Sequence, residues 1–128
     1  MRNAVIDAQF MTLRQEPRFA DAELVYTPDL TCQLFVGFAL VTGWSVGRAL
    51  VRTTLPVGYP LAAPADFSTD PHLRWGEAVQ PRHTYLRQDG LLFLLRPMAW
   101  SPNQHTLLTW CRMIGVRLQR EKEEVCDD

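Results

Sequence analysis

Five prolines, Pro56, Pro60, Pro64, Pro71 and Pro81, punctuate the middle of the chain. Proline removes a backbone donor and fixes φ, so this stretch can be neither a regular helix nor an interior strand. The chain is thereby divided. Regular structure must be built before Pro56 and after the loop region, with short extended pieces between.

Before the prolines the pattern is one helix and then strands. Asn3 is placed to cap a helix over residues 3–15, with Ile6, Phe10 and Leu13 on one face. Glu16-Pro17 ends it, because a residue before proline is pushed out of the helical region. Glu23 to Tyr26 reads as a short strand, closed by Thr27-Pro28-Asp29. Thr31 to Val41 is rich in strand formers, and Thr42-Gly43 follows as a turn. Trp44 to Leu55 resumes the strand pattern, with Arg48 and Arg52 on one face of the pleat. Short connections make an antiparallel meander the economical topology.

After Pro64, residues 65–68 read as a short strand and residues 70–89 as a long irregular loop. Asp89-Gly90 opens the apolar run Leu91 to Leu95, a buried strand. A second helix is expected over 103–119, capped by Asn103. Its apolar stripe is Leu107, Cys111, Ile114 and Leu118. The fold class is therefore α+β: an N-terminal helix, an antiparallel sheet, a Pro-rich loop region and a C-terminal helix packed on the sheet. Residues 1–120 form one domain, and 121–128 an acidic flexible tail.

Charge excludes some functions. The formal net charge is −1, and Glu121 to Asp128 hold five acids and Lys122, a sum of −4. The remainder carries 12 arginines against 9 acids, about +3, too little for a nucleic-acid binder. The apolar share of 47% excludes a composition-driven disordered chain. No signal peptide or membrane span is legible. Cys32, Cys111 and Cys126 are odd in number and lack a CxxC pair, which indicates a reduced, cytoplasmic setting. Lys122 as the lone lysine fits GC-rich codon usage.

Four fragments, in order, resemble the ubiquitin-conjugating enzyme family. Tyr59-Pro60-Leu61-Ala62-Ala63-Pro64 is similar to its Y-P-x-x-P-P segment. Asp70-Pro71-His72 stands at its H-P-N motif, and Gly90 to Leu95 at G-x-I-C-L. Trp100-Ser101-Pro102 matches the W-x-P before its second helix. The chain ends after that helix, as divergent bacterial members do. The resemblance implies that fold and a bacterial pathway with a ubiquitin-like modifier and its activating enzyme. Tyr59, Pro60, Pro64, Pro71, Trp100 and Pro102 would support the frame.

The departures concern the chemistry. The position of the family's thioester cysteine falls on Phe93 counted from Gly90, or on Leu92 counted back from Trp100. Neither is a nucleophile. Asp70 replaces the motif histidine and His72 its asparagine. The expected function is a noncatalytic or noncanonical conjugating-enzyme-like component. It would bind the modifier, the activating enzyme or a catalytic sibling, with no nucleic acid or membrane partner. Dimers with a copy or a sibling are compatible with it. The alternatives are an enzyme with an oxygen nucleophile and an interaction scaffold of the RWD type. Asp70, His72, His83 and Ser101 are the candidate catalytic groups, followed by Ser68, Thr69 and Thr84. No cofactor is implied. No metal is assigned, because His72, His83 and Asp70 lack a third ligand at suitable spacing. Arg74 and Trp75 are the loop pair expected at an interface, or folded over the core.

Overall fold

The computed structural model describes residues 3–29, 31–76, 79–95 and 99–126, with side chains as far as Glu121. Helix α1 (Ala4–Gln15) is capped by Asn3, whose side chain accepts from the N–H groups of Val5 and Ile6 at 2.9 and 3.1 Å. A single 3-10 turn, Pro17–Phe19, follows it. Strands β1 (Glu23–Tyr26), β2 (Cys32–Ala39), β3 (Arg48–Leu55) and β4 (Asp66–Thr69) then run antiparallel, each beside the last. The Tyr59–Pro60 peptide between β3 and β4 is cis. Strands β5 (Thr84–Arg87) and β6 (Gly90–Leu94) form a hairpin, and α2 (Leu107–Cys126) ends the described chain.

The sheet order is β1-β2-β3-β4-β6-β5, so the meander covers four strands and the hairpin completes an open antiparallel sheet. Residues 70–89 were expected as one irregular loop, but β5 lies within it. Thr84 to Arg87 gain strand structure only by pairing with the apolar β6. Gly90 permits the close approach at the start of β6: a Cβ there would stand 2.8 Å from the Thr69 carbonyl oxygen.

The second helix also differs from expectation at both ends. Asn103 does not cap it. Gln104 and His105 instead donate to the Ser101 carbonyl, forming a turn, and helix α2 starts at Leu107. The free N–H of Leu107 is taken by Gln9 Oε1 of α1 at 3.0 Å. At the other end α2 continues through the residues read as the start of the acidic tail. Glu121 is buried within it. The remainder of that tail, and the Cys126 thiol, lie outside the described side chains.

Both helices cover one face of the sheet. Val51, Thr53 and Leu55 of β3 and Phe67 of β4 alternate inward, and Trp110 of α2 donates from Nε1 to Thr53 Oγ1 at 3.2 Å. Phe67 and Phe93 stack at 4.7 Å in the same core as Ile6, Leu13 and Ile114. The expected stripe of α2, Leu107, Cys111, Ile114 and Leu118, is buried throughout. Burial of the Cys111 thiol pushes its pKa up to about 12, which leaves it an inert packing group. Among the described residues, no helix is long and apolar enough to cross a membrane.

Candidate functional site

Among the described residues, no helix covers the second face of the sheet. Its outward positions follow from the strand period of two. Phe35, Arg52, Ser68, Leu92 and Tyr85 are cross-strand neighbours and form one row across β2, β3, β4, β6 and β5. Gln33 and Thr54 form a parallel row on one side, with Asp66 and Leu94 continuing it; Gly37 and Leu50 pair on the other. Much of this apolar surface meets water. Leu50 is 63% exposed, Tyr85 53%, Val25 46% and Leu94 42%. Exposed apolar residues grouped on one face and framed by charge are the usual composition of a protein-docking surface.

Two hollows shape this face. One, of about 350 Å³, is lined by Arg52, Asp66, Ser68, Arg87, Asp89 and Leu92 with Gln33 and Thr54. Arg52 pairs with Asp89 at 3.2 Å across its rim. Burial raises the pKa of Asp66, and the Arg87 charge opposes that shift. The second hollow, of about 550 Å³, lies against Arg48 and Leu50 and is closed by Ser45, Asp70, His72 and Leu73. The charges on the face alternate in sign, so no single-sign field suits a polyanion.

The residues expected from sequence are dispersed. Leu92 faces the first hollow, whereas Phe93, one residue on, is fully buried between Phe67 and Trp44. Asp70 and His72 share the second hollow, where Asp70 accepts the His72 backbone N–H at 2.7 Å. That contact is a local turn, and it engages the carboxylate without touching the imidazole. His83 is exposed in the turn before β5, at φ 56°. No group of three metal-ligating side chains occurs among the described residues.

The candidate hydroxyls are also spread out, and their partners are carbonyls. Ser68 Oγ donates to Arg52 O at 3.4 Å, Thr69 Oγ1 to Asp70 O at 3.2 Å and Thr84 Oγ1 to Pro81 O at 2.6 Å. An activated nucleophile needs a base at that place. Ser101 lies beside His105, a neighbour the sequence reading did not single out. However, His105 Nδ1 accepts the Ser101 backbone N–H at 2.9 Å, which occupies the nitrogen nearest the serine.

Three of the frame residues, Tyr59, Pro60 and Trp100, are brought together. Tyr59 is buried, and Trp100 donates from Nε1 to Pro60 O at 2.9 Å, with the Tyr59 and Trp100 rings 6.0 Å apart. Pro64 is buried, while Pro71 and Pro102 are half-buried. Trp75 is folded over the core: its ring meets Trp44 edge-on at 5.2 Å and covers Gly43, where a Cβ would overlap it. Arg74 donates to the carbonyls of Pro71 and Leu73, which fixes the same loop.

Two features escaped the sequence reading. The first is the open face itself. Its signal was Phe35, an aromatic placed outward on β2 where a solvated strand would carry a polar residue. The second is the buried pair Arg117–Glu121, at 3.4 Å and one helical turn apart. Glu121 also accepts the Arg82 backbone N–H, and Arg117 donates to Arg82 O and covers the Phe93 ring. It had no readable signal, because Glu121 begins an acid-rich run. The chain matches no protein-family model, no curated protein and no solved structure.

Proposed function

We propose that this chain is a noncatalytic, ubiquitin-conjugating-enzyme-like protein of a bacterial modifier pathway, working by binding. Its open sheet face receives a ubiquitin-like protein, an activating enzyme or a catalytic sibling. The observation that carries the reading is the pair Leu92 and Phe93. At the positions where the family holds its cysteine, one side chain is locked in the core and the other is an aliphatic group on the open face. The joining of Tyr59-Pro60 to Trp100 supports the family frame, since two motif fragments distant in sequence meet in space. The Ser68 hydroxyl on this face points its proton at the Arg52 carbonyl, which disfavours the oxyester alternative.

The test uses a ubiquitin-like modifier and an activating enzyme from the same genome. With ATP, nonreducing gels are expected to show no adduct on this protein, while titration calorimetry shows binding to one of these proteins or to a catalytic sibling. Leu50→Ser with Tyr85→Ser is expected to weaken that binding at least about ten-fold. A hydroxylamine-labile adduct would overturn the noncatalytic reading. Absence of binding to all pathway proteins would leave the interaction-scaffold reading in its place.

A further inference from the structure

The sheet has two edges, and they are not alike. At the β1 edge, Tyr26 is tied to α1 through Asn3 and Asp7. The β5 edge is apolar on both faces. Tyr85 projects on the open side and is 53% exposed; Leu86 projects on the helix side, yet is 54% exposed. Leu86 therefore stands on the covered face of the sheet beyond the reach of its cover.

The hairpin geometry says which backbone groups this edge offers. A two-residue turn, Gln88-Asp89, joins β5 to β6, so Arg87 and Gly90 are the closing pair that exchanges hydrogen bonds. Tyr85 and Leu92 repeat that pairing two residues on. Leu86 and Leu91 lie between as a non-hydrogen-bonded pair. The N–H and C=O of Leu86 accordingly face away from β6, toward the free edge. The next outward carbonyl, Thr84 O, already accepts from Gln80 Nε2 at 3.2 Å. Among the described residues, the unused pairing surface is centred on Leu86.

We propose that β5 pairs antiparallel with β5 of a second copy of this chain, about a two-fold axis at Leu86, joining two sheets into one. In this register Leu86 exchanges both backbone hydrogen bonds with the partner's Leu86, and the two exposed side chains cover each other. Tyr85 comes opposite the partner's Arg87, and Arg87 opposite the partner's Tyr85. Each is a cross-strand cation–aromatic pair on the open face. The self-complementarity of the Tyr-Leu-Arg triplet selects a second copy over an unrelated strand. The two-fold axis closes the assembly at two chains, with no open filament. A four-residue edge is a small contact, so the association belongs to the weak, concentration-dependent range. The inference shares Tyr85 with the face proposed above but needs no modifier, so self-association of the chain alone tests it apart from that reading.

Sedimentation equilibrium of the full chain from about 10 to about 500 µM tests it, a range suited to weak interfaces. The weight-average mass is expected to rise from 14.7 kDa toward twice that value. Leu86→Pro removes the outward N–H at an edge position that tolerates proline, and Leu86→Lys places charge against charge. Both are expected to stay at the chain mass, with the Leu86→Lys thermal midpoint unchanged. A cysteine scan reads the register directly. In a Cys126→Ser background, Leu86→Cys is expected to form an intermolecular disulfide about ten-fold faster than Tyr85→Cys. Directly opposed Cα atoms lie about 5.5 Å apart, within disulfide range. A constant chain mass at every concentration would sink the proposal. So would a dimer that survives both Leu86 variants, or one cross-linked faster through Leu50→Cys on the open face.

Discussion

The two faces of one sheet are built from the same strands and obey different rules. Leu91 and Phe93 of β6 point toward the helices and are fully buried; Leu92, between them, points outward and is half-buried. On the covered face polar groups are admitted only with partners: Thr53 Oγ1 donates to Asp66 O and receives Trp110 Nε1. On the open face, Arg52 and Asp89 pair at the rim in partial contact with water, where such a bond contributes little. Stability therefore resides on one face, and the other contributes little to it. The Leu92–Phe93 step, where the family resemblance places chemistry, crosses from one regime to the other in a single residue.

This contrast can be broken at that step. Phe93→Ala removes a ring stacked on Phe67 and beneath Arg117, and is expected to cost about 3–5 kcal/mol in urea unfolding. Leu92→Ala is expected to cost about 1 kcal/mol or less. Equal losses at the two positions would show that the open face is covered in solution. A second, smaller effect is expected at the buried pair. Glu121→Ala removes the carboxylate that pairs with Arg117 and accepts the Arg82 N–H, at a cost of about 3 kcal/mol. Replacing both partners, Arg117→Met with Glu121→Leu, is expected to recover part of that loss.

The covered face also has a pH signature. Burial raises the pKa of Cys111, from 9.0 to about 12, and raises that of Tyr59. A group whose folded pKa is raised favours folding below its unfolded value, and that contribution fades as pH rises through the folded value. Stability is expected to decline between about pH 9 and 12, and Cys111→Ala to flatten part of that decline. Denaturant melts across this range would show it. The smallest effect belongs to the open face. Leu50→Ser is expected to change stability by no more than about 0.5 kcal/mol, read by the same melts, while altering binding.

Much of the frame was legible because it rests on local rules. The Asn3 cap, the stop at Glu16-Pro17, and the β1 span each depend on residues within one turn of one another. The stripe on α2 was legible for the same reason: Leu107, Cys111, Ile114 and Leu118 repeat with the helical period. What failed to show is what depends on distant partners. Strand β5 exists because β6 is beside it. The start of α2 is set by Gln9, nearly the whole chain away, and by the Ser101 turn. Trp75 had two readings from sequence, interface anchor or cover, and Trp44 with Gly43 determines the second. Of the open face, the sequence singled out Leu92, and only through the family resemblance. The open face needed the register, since outward and inward residues can be separated only when every strand has its neighbour.

By itself the sequence determined the class of the fold, the break imposed by the prolines, and the lack of a nucleophile in the apolar run Leu91 to Leu95. These follow from backbone covalency, periodicity and residue chemistry, which need no third dimension. Only the tertiary structure decided that, among the described residues, one sheet face has no helix on it, that Glu121 leaves its acidic run to be buried against Arg117, and that Leu86 stands exposed at an edge. Each of those depends on which surfaces the packed helices reach. Burial is a property of the assembled layers, and no local stretch of chain records it.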